Sequence, residues 1–122
     1  MIIGIGTDLI EIERIKKACV KEAFLLRSFT LEERRCIEGR PERAAGNFAV
    51  KEAVSKVMGT GFRGMGLNEI EVLRDDLGKP YINLYGRARQ KAEAMGISRW
   101  HVSISNTKKL ATAYVIGEGG IK

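Results

Sequence analysis

The chain has 122 residues, of which 44% are hydrophobic and 30% charged. That is one domain's worth of sequence, read as a single unit over residues 1–122, with enough apolar content for an ordinary core. It excludes a disordered or low-complexity protein, and no apolar run is long enough to span a bilayer as a helix. A formal net charge of +6 and a pI near 9.5 point to an acidic partner: nucleic acid, a phosphorylated small molecule or an acidic protein.

Ile2 to Thr7 reads as a strand buried on both faces rather than a signal peptide, since it is short, lacks a basic leader and runs straight into Asp8. Gly4 and Gly6 within it signal a close backbone approach by another element. They do not complete a dinucleotide fingerprint, because position 9 is Leu. Asp8 has two readings. It is a good helix N-cap with Glu11 three residues on, which local pattern favours, or it is a ligand at the end of a strand. Leu9 to Glu22 then reads as an amphipathic helix with Ile12, Ile15 and Cys19 inward and Arg14, Lys16, Lys17 and Lys21 outward. Phe24, Leu25, Leu26 and Phe29 form an apolar, bent continuation.

Thr30-Leu31-Glu32-Glu33 carries the cap-plus-acid signature of a new helix, which Gly39 and Pro41 end. Pro41 to Met58 is the longest predicted helix, with a slim apolar face of Ala44, Ala45, Phe48, Ala49, Ala53 and Val57. Gly59 to Gly66 is a glycine-rich loop, but its glycines follow the helix instead of preceding it, so it is no P-loop. Asn68–Arg74 and Tyr81–Leu84 form a predicted hairpin. Residues from Tyr85 or Gly86 to Met95 form a helix, and Trp100–Ser105 and Leu110–Ile116 form two further strands, with Gly117 onward a loose tail. The expected class is α+β, a mostly antiparallel sheet packed against helices. Cys19 and Cys36 have no metal-ligand spacing and read as reduced, partly buried thiols of a cytoplasmic protein.

Phe48, Glu52, Ser55 and Gly59 line up on one face of the long helix, and a carboxylate there suits a site better than a core. Two carboxylates, Asp8 and Glu52, with Lys56 and a glycine loop suit Mg²⁺ and a phosphorylated ligand, because Mg²⁺ takes one or two protein carboxylates and leaves its other positions to phosphates and water. Lys56 is also a candidate surface ion pair with Glu52. His101, the one histidine, reads as structural or partly exposed.

Three blocks then resemble the bacterial holo-[acyl-carrier-protein] synthases, the small 4′-phosphopantetheinyl transferases. They are Gly4-Ile5-Gly6-Thr7-Asp8-Leu9-Ile10-Glu11-Ile12-Glu13-Arg14-Ile15, Phe48-Ala49-Val50-Lys51-Glu52-Ala53-Val54-Ser55-Lys56 with Gly59-Thr60-Gly61, and His101-Val102-Ser103-Ile104-Ser105 followed by Ala111-Thr112-Ala113. Gly78-Lys79-Pro80 fits as well. The resemblance implies a 4′-phosphopantetheinyl transferase-like fold and transfer of the phosphopantetheine arm of coenzyme A to a serine of an apo acyl carrier protein, releasing adenosine 3′,5′-bisphosphate.

It implies that Asp8 and Glu52 hold Mg²⁺ and that Lys56 serves the diphosphate. Ser55, Gly59 and Gly61 then face the diphosphate or adenosine side, and Asn106 hydrogen-bonds adenine or its phosphate. A water on the metal and Glu52 acting through water are the two candidate bases. Arg14 matches the family's docking helix for the acidic carrier, and Lys17 and Lys21 extend it by charge. The family's trimers, with sites between subunits, would bring Asp8 and Glu52 from different chains around one coenzyme A. Two positions depart from the family's pattern: Asn47 stands where many members have Arg, and Asn106 where some have His. The alternative function, a basic RNA-binding module, explains the charge but not Asp8 and Glu52, and lacks a cluster of sheet aromatics.

Overall fold

The computed structural model describes residues 1–120. Strand β1 spans Ile2–Glu11, followed by helices α1 (Ile12–Ala18), α2 (Glu22–Ser28), α3 (Leu31–Ile37) and α4 (Pro41–Met58). After the glycine loop come a 3₁₀ turn (Leu67–Glu69), the hairpin β2 (Ile70–Arg74) and β3 (Pro80–Leu84), helix α5 (Gly86–Ala94), and strands β4 (Ile97–Asn106) and β5 (Leu110–Gly119). Two sheets result, one of order β1-β5-β4 and one of β2-β3. Every pairing is antiparallel, so the α+β class holds.

The capping box at Thr30 forms as its sequence signature requires: the Thr30 hydroxyl accepts from the Glu33 amide, and the Glu33 carboxylate accepts from the Thr30 amide. Helix α4 has the predicted bounds and ends on Gly59 at φ +78°, a left-handed cap that glycine adopts without strain. The slim apolar face is an underestimate. Residues are buried on all sides of α4, including Asn47, Val50, Lys51 and Val54. A helix buried on nearly every side is a central helix. One side lies on the inner face of β1-β5-β4, and the other meets α3 and β2.

The two glycines of β1 set how close that packing is. A Cβ on Gly6 would collide with the Ala53 carbonyl of α4, and one on Gly4 would come within 3.0 Å of the Val57 carbonyl. The close approach read from the sequence is therefore α4 itself.

Two boundaries differ from expectation. β1 runs on through Asp8 to Glu11, so Asp8 pairs with Ala113 inside the sheet and is not a helix N-cap. α1 begins only at Ile12, and no side chain caps it. Leu9–Glu22 is thus a strand end, a helix of about two turns and the start of α2. The predicted tail is also shorter, because β5 continues to Gly119, whose amide bonds the Met1 carbonyl; residues 121–122 of that tail lie outside the described residues. Cys19 and Cys36 are free and partly buried.

Candidate functional site

Pleating of β1 sends Gly6, Asp8 and Ile10 to the helix-covered face and Ile5, Thr7 and Leu9 to the open one. Asp8 thereby points to α4, where Glu52 and Lys56 stand one turn apart. The Thr112 hydroxyl bonds the Asp8 carbonyl at 2.9 Å and pins that stretch of backbone. Lys56 Nζ donates to the Thr7 carbonyl at 2.8 Å and to Asp8 Oδ1 at 3.4 Å. Burial pushes the Glu52 carboxyl above its usual range, and the nearby Asp8 charge pushes it further, while Lys56 and Arg14 pull it back. A carboxylate raised by a second carboxylate is a pair short of positive charge.

Asp8, Glu52, Lys56 and Arg14 therefore converge within a single chain. The arrangement in which Asp8 and Glu52 come from different chains is corrected: the absence of a side chain at Gly6 lets α4 press against β1 and brings the two acids together. Among the described residues no group of three or more His, Cys, Asp or Glu is placed to hold a metal ion. The two-carboxylate set is one that Mg²⁺, which keeps most of its shell for phosphate and water, accepts.

The other expected residues fall less uniformly. Ser55 is 3% exposed, with its hydroxyl on the Glu52 carbonyl at 2.6 Å, so it supports the helix turn under Glu52 and is not displayed to solvent. Gly59 and Gly61 are exposed and take positive φ. Thr60 of the same loop receives a hydrogen bond from Lys91 of α5, whose ammonium also reaches the Arg63 carbonyl at 3.2 Å. Arg14, Lys17 and Lys21 are all exposed. Lys17 and Lys21 line a cleft of about 490 Å³ with Phe24 and Arg27, and the Arg27 guanidinium lies 5.8 Å over the Phe24 ring. His101 is exposed and bonds Glu118 at 2.8 Å.

Asn106 lies elsewhere. It ends β4, at the opposite edge of the sheet from β1, in a cleft of about 240 Å³ lined also by Glu42, Arg43, Arg74, Gly78, Pro80 and Ile104. Two strand spacings, roughly 10 Å, separate the edges. Arg43 and Glu52 are nine residues apart on α4, roughly 13 Å along its axis. One chain holds the Asp8–Glu52 cluster and the Asn106 cleft on different sides of α4.

A second cluster was not foreseen. Lys51, Glu33 and Asn47 are each 0% exposed. Lys51 Nζ bonds Glu33 Oε1 at 2.8 Å, the Leu67 carbonyl at 3.0 Å and the Ile70 carbonyl. Glu33 Oε2 accepts from the Val72 amide and from Asn47 Nδ2, both at 3.1 Å. Glu71 accepts from Thr30, Asn83 and Tyr85 at 2.6, 3.0 and 2.8 Å. The α4 pattern alone does not reveal it: Val50, Ala53, Val54 and Val57 share one face, and Lys51 lies just beside that face, where a lysine reads as solvated. Asn47, the departure at the family's usual Arg, belongs to this cluster.

β1 and the central helix α4, brought together at Gly6, present two acids and a lysine on one surface, and sequence comparison supplies the class of protein, a transferase. Residues 4–115 match the profile of the 4′-phosphopantetheinyl transferase superfamily, and the chain belongs to that family of enzymes. It is 58% identical over 118 residues to the holo-[acyl-carrier-protein] synthase of Lachnoclostridium phytofermentans, covering 97% of each chain. Among solved structures it is similar to the Plasmodium yoelii acyl carrier protein synthase with ADP bound, at 34% identity, TM-score 0.88 and coverage of 99% and 98%. The Bacillus anthracis holo-(acyl-carrier-protein) synthase in complex with coenzyme A (3′,5′-ADP) matches at 37% identity, TM-score 0.81 and coverage of 98% and 99%. The RNA-binding alternative finds no support in these comparisons.

Proposed function

We propose that this chain transfers the 4′-phosphopantetheine arm of coenzyme A to a serine of an apo acyl carrier protein and releases adenosine 3′,5′-bisphosphate. The observation that carries the proposal is the convergence of Asp8, Glu52 and Lys56 where β1 meets α4. The serine oxygen forms a bond to the β-phosphorus, the bridging P–O bond breaks, and the bisphosphate leaves with that oxygen. Asp8 and Glu52 fit as the residues that would hold Mg²⁺, which when bound neutralises charge on the diphosphate.

Lys56 has the reach for the same phosphates. Its side chain is half exposed on a flexible stem and held by one carbonyl and one carboxylate. It stabilises negative charge on the transferring and leaving oxygens, which is where such reactions need it. A water on the metal and Glu52 acting through a water are the two candidates to accept the serine proton. Gly59 and Gly61 leave backbone exposed beside this end of α4.

The acidic carrier docks on α1 and α2 in this reading. Arg14 lies within electrostatic range of Glu52, and the cleft of Lys17, Lys21 and Arg27 around Phe24 offers both charge and an apolar contact. We further propose a homotrimer with its sites between subunits. Ile5, Leu9 and Tyr114 are 70%, 64% and 55% exposed on the open face of the three-stranded sheet, which suits burial against copies of the chain. A neighbour's Asn106 cleft would then complete a site that one chain leaves divided. Among the described residues no helix is long and apolar enough to cross a membrane, and a cytoplasmic location follows from the proposed substrates.

Mass spectrometry of an apo acyl carrier protein incubated with the chain, coenzyme A and Mg²⁺ tests the proposal. A metal-dependent gain of one phosphopantetheine is expected. No gain with any carrier would overturn it.

A further inference from the structure

A further concavity lies in the helix layer, where it has no part in the proposed transfer. It is a pocket of about 600 Å³ enclosed by α1, α2, α3 and the first turn of α4. It shares no lining residue with the Asn106 cleft or with the cleft of Lys17 and Phe24.

The floor of this pocket is apolar. Ile37 and Ala44 lie there, 5% and 2% exposed. Cys19, Leu25 and Pro41 form partly buried walls. Burial pushes the Cys19 thiol above its usual range, as a wall of low polarity does. The short turn between α3 and α4 closes one side. The Arg40 amide bonds the Ile37 carbonyl at 2.8 Å, and Gly39 between them takes φ +70°. This is a type II turn, whose third position glycine occupies without strain, so that side of the pocket is fixed.

The mouth is charged, and unevenly. Lys16, Arg34 and Arg40 stand around it with one acid, Glu38. Among the described residues none of the four forms an ion pair. Arg34 Nη1 is anchored on the Phe29 carbonyl at 2.8 Å, while Lys16 and Arg40 are exposed. The result is a net positive rim over a hydrocarbon floor. A small hydrophilic anion gains nothing from that floor, and a neutral hydrocarbon gains nothing from that rim. A ligand with an alkyl chain and one negative head gains from both.

We propose that this pocket binds an amphiphilic anion of the fatty-carboxylate type. The chain lies against Leu25, Ile37 and Ala44, and the carboxylate lies among Lys16, Arg34 and Arg40. The volume suits a small ligand, and so does a lining that is apolar below with a few charged groups above. The inference does not depend on the transfer reaction.

Calorimetric titration of the full chain with hexanoate, octanoate and octan-1-ol tests it, and alkylation of the two cysteines by N-ethylmaleimide locates the ligand. Octanoate should bind more tightly than hexanoate by roughly tenfold, the scale for two further buried methylenes. It should also bind more tightly than octan-1-ol, which has the chain without the charge. The double change Lys16→Ala with Arg40→Ala should weaken octanoate by about fivefold, the scale for two exposed charge contacts. The ratio of octanoate to hexanoate should survive that change, because head and chain are held by different groups. Bound octanoate should slow alkylation of Cys19, which lines the pocket, and leave that of Cys36, which does not, unchanged. A folded Ala44→Leu, which fills the floor, should lose octanoate binding; if that variant does not fold, the Cys19 protection in the wild-type chain decides. Absence of octanoate binding, equal binding of octan-1-ol, an unaffected double variant, or binding that leaves Cys19 unprotected would each overturn the proposal.

Discussion

Lys51 and Glu52 are neighbours in sequence and opposites in surroundings. Lys51 turns into the core, where Glu33 and two carbonyls satisfy all three of its donors. Glu52 turns to the β1 side, half-buried beside a second carboxylate, with its proton affinity raised. Both are charges partly or wholly removed from water, yet only one set is complete. A closed network of this kind holds α3, α4 and β2 together. An open one, kept short of positive charge at a surface, is where a cation and phosphates gain most. One helix turn therefore carries scaffold on one side and the proposed site on the other.

The comparison breaks most visibly if one partner of the closed network is removed. Lys51→Met leaves Glu33 buried and uncompensated, a change that costs about 3–5 kcal/mol in such settings. Denaturant unfolding should show that loss, and the double change Lys51→Met with Glu33→Gln should restore part of it. On the open side the effect should fall on rate. Lys56→Ala should lower transfer by roughly 10²-fold, the scale for losing one charge-stabilising donor, while the melting temperature stays near that of the wild type.

A smaller effect tests Glu71. Burial raises its carboxyl, but hydrogen bonds from Thr30, Asn83 and Tyr85 outweigh that and hold it below its usual range. A depressed folded value stabilises the fold above the unfolded pKa and loses that contribution as pH falls through the folded value. Melting curves of wild type and Glu71→Gln should therefore differ at neutral pH and converge in acid, below about pH 4. The smallest effect is expected on the docking face. Arg14→Ala should raise KM for the carrier and flatten the salt dependence of association. Unchanged carrier binding at low salt would remove Arg14 from that role.

Much of the scaffold was legible in the sequence because its signals are local. The Thr30 capping box, Pro41 and Gly59 bracketing α4, and the Gly-Lys-Pro turn of the hairpin each act within a few residues. The Asp8 boundary misled because Asp followed three residues later by Glu is a helix cap in one backbone and an alternating strand end in another. Sheet pairing with Ala113, more than a hundred residues away, decided it. The Lys51–Glu33 pair was invisible for a related reason: the partners are 18 residues apart on different helices, and a lysine in a helix reads as solvated until every side of that helix is known to be covered. Asp8, Glu52 and Lys56 could be named as candidates from residue type and resemblance. That one chain brings them together, and sets Asn106 apart, required the packing of α4 on Gly6.

The central claim is that Glu52 belongs to the site and not to the scaffold. Its most direct test is the rate at which Glu52→Gln adds phosphopantetheine to an apo carrier, followed by mass, on protein shown to melt like the wild type. The structure predicts a loss of about 10²-fold or more. A folded Glu52→Gln protein that transfers at the wild-type rate would contradict it.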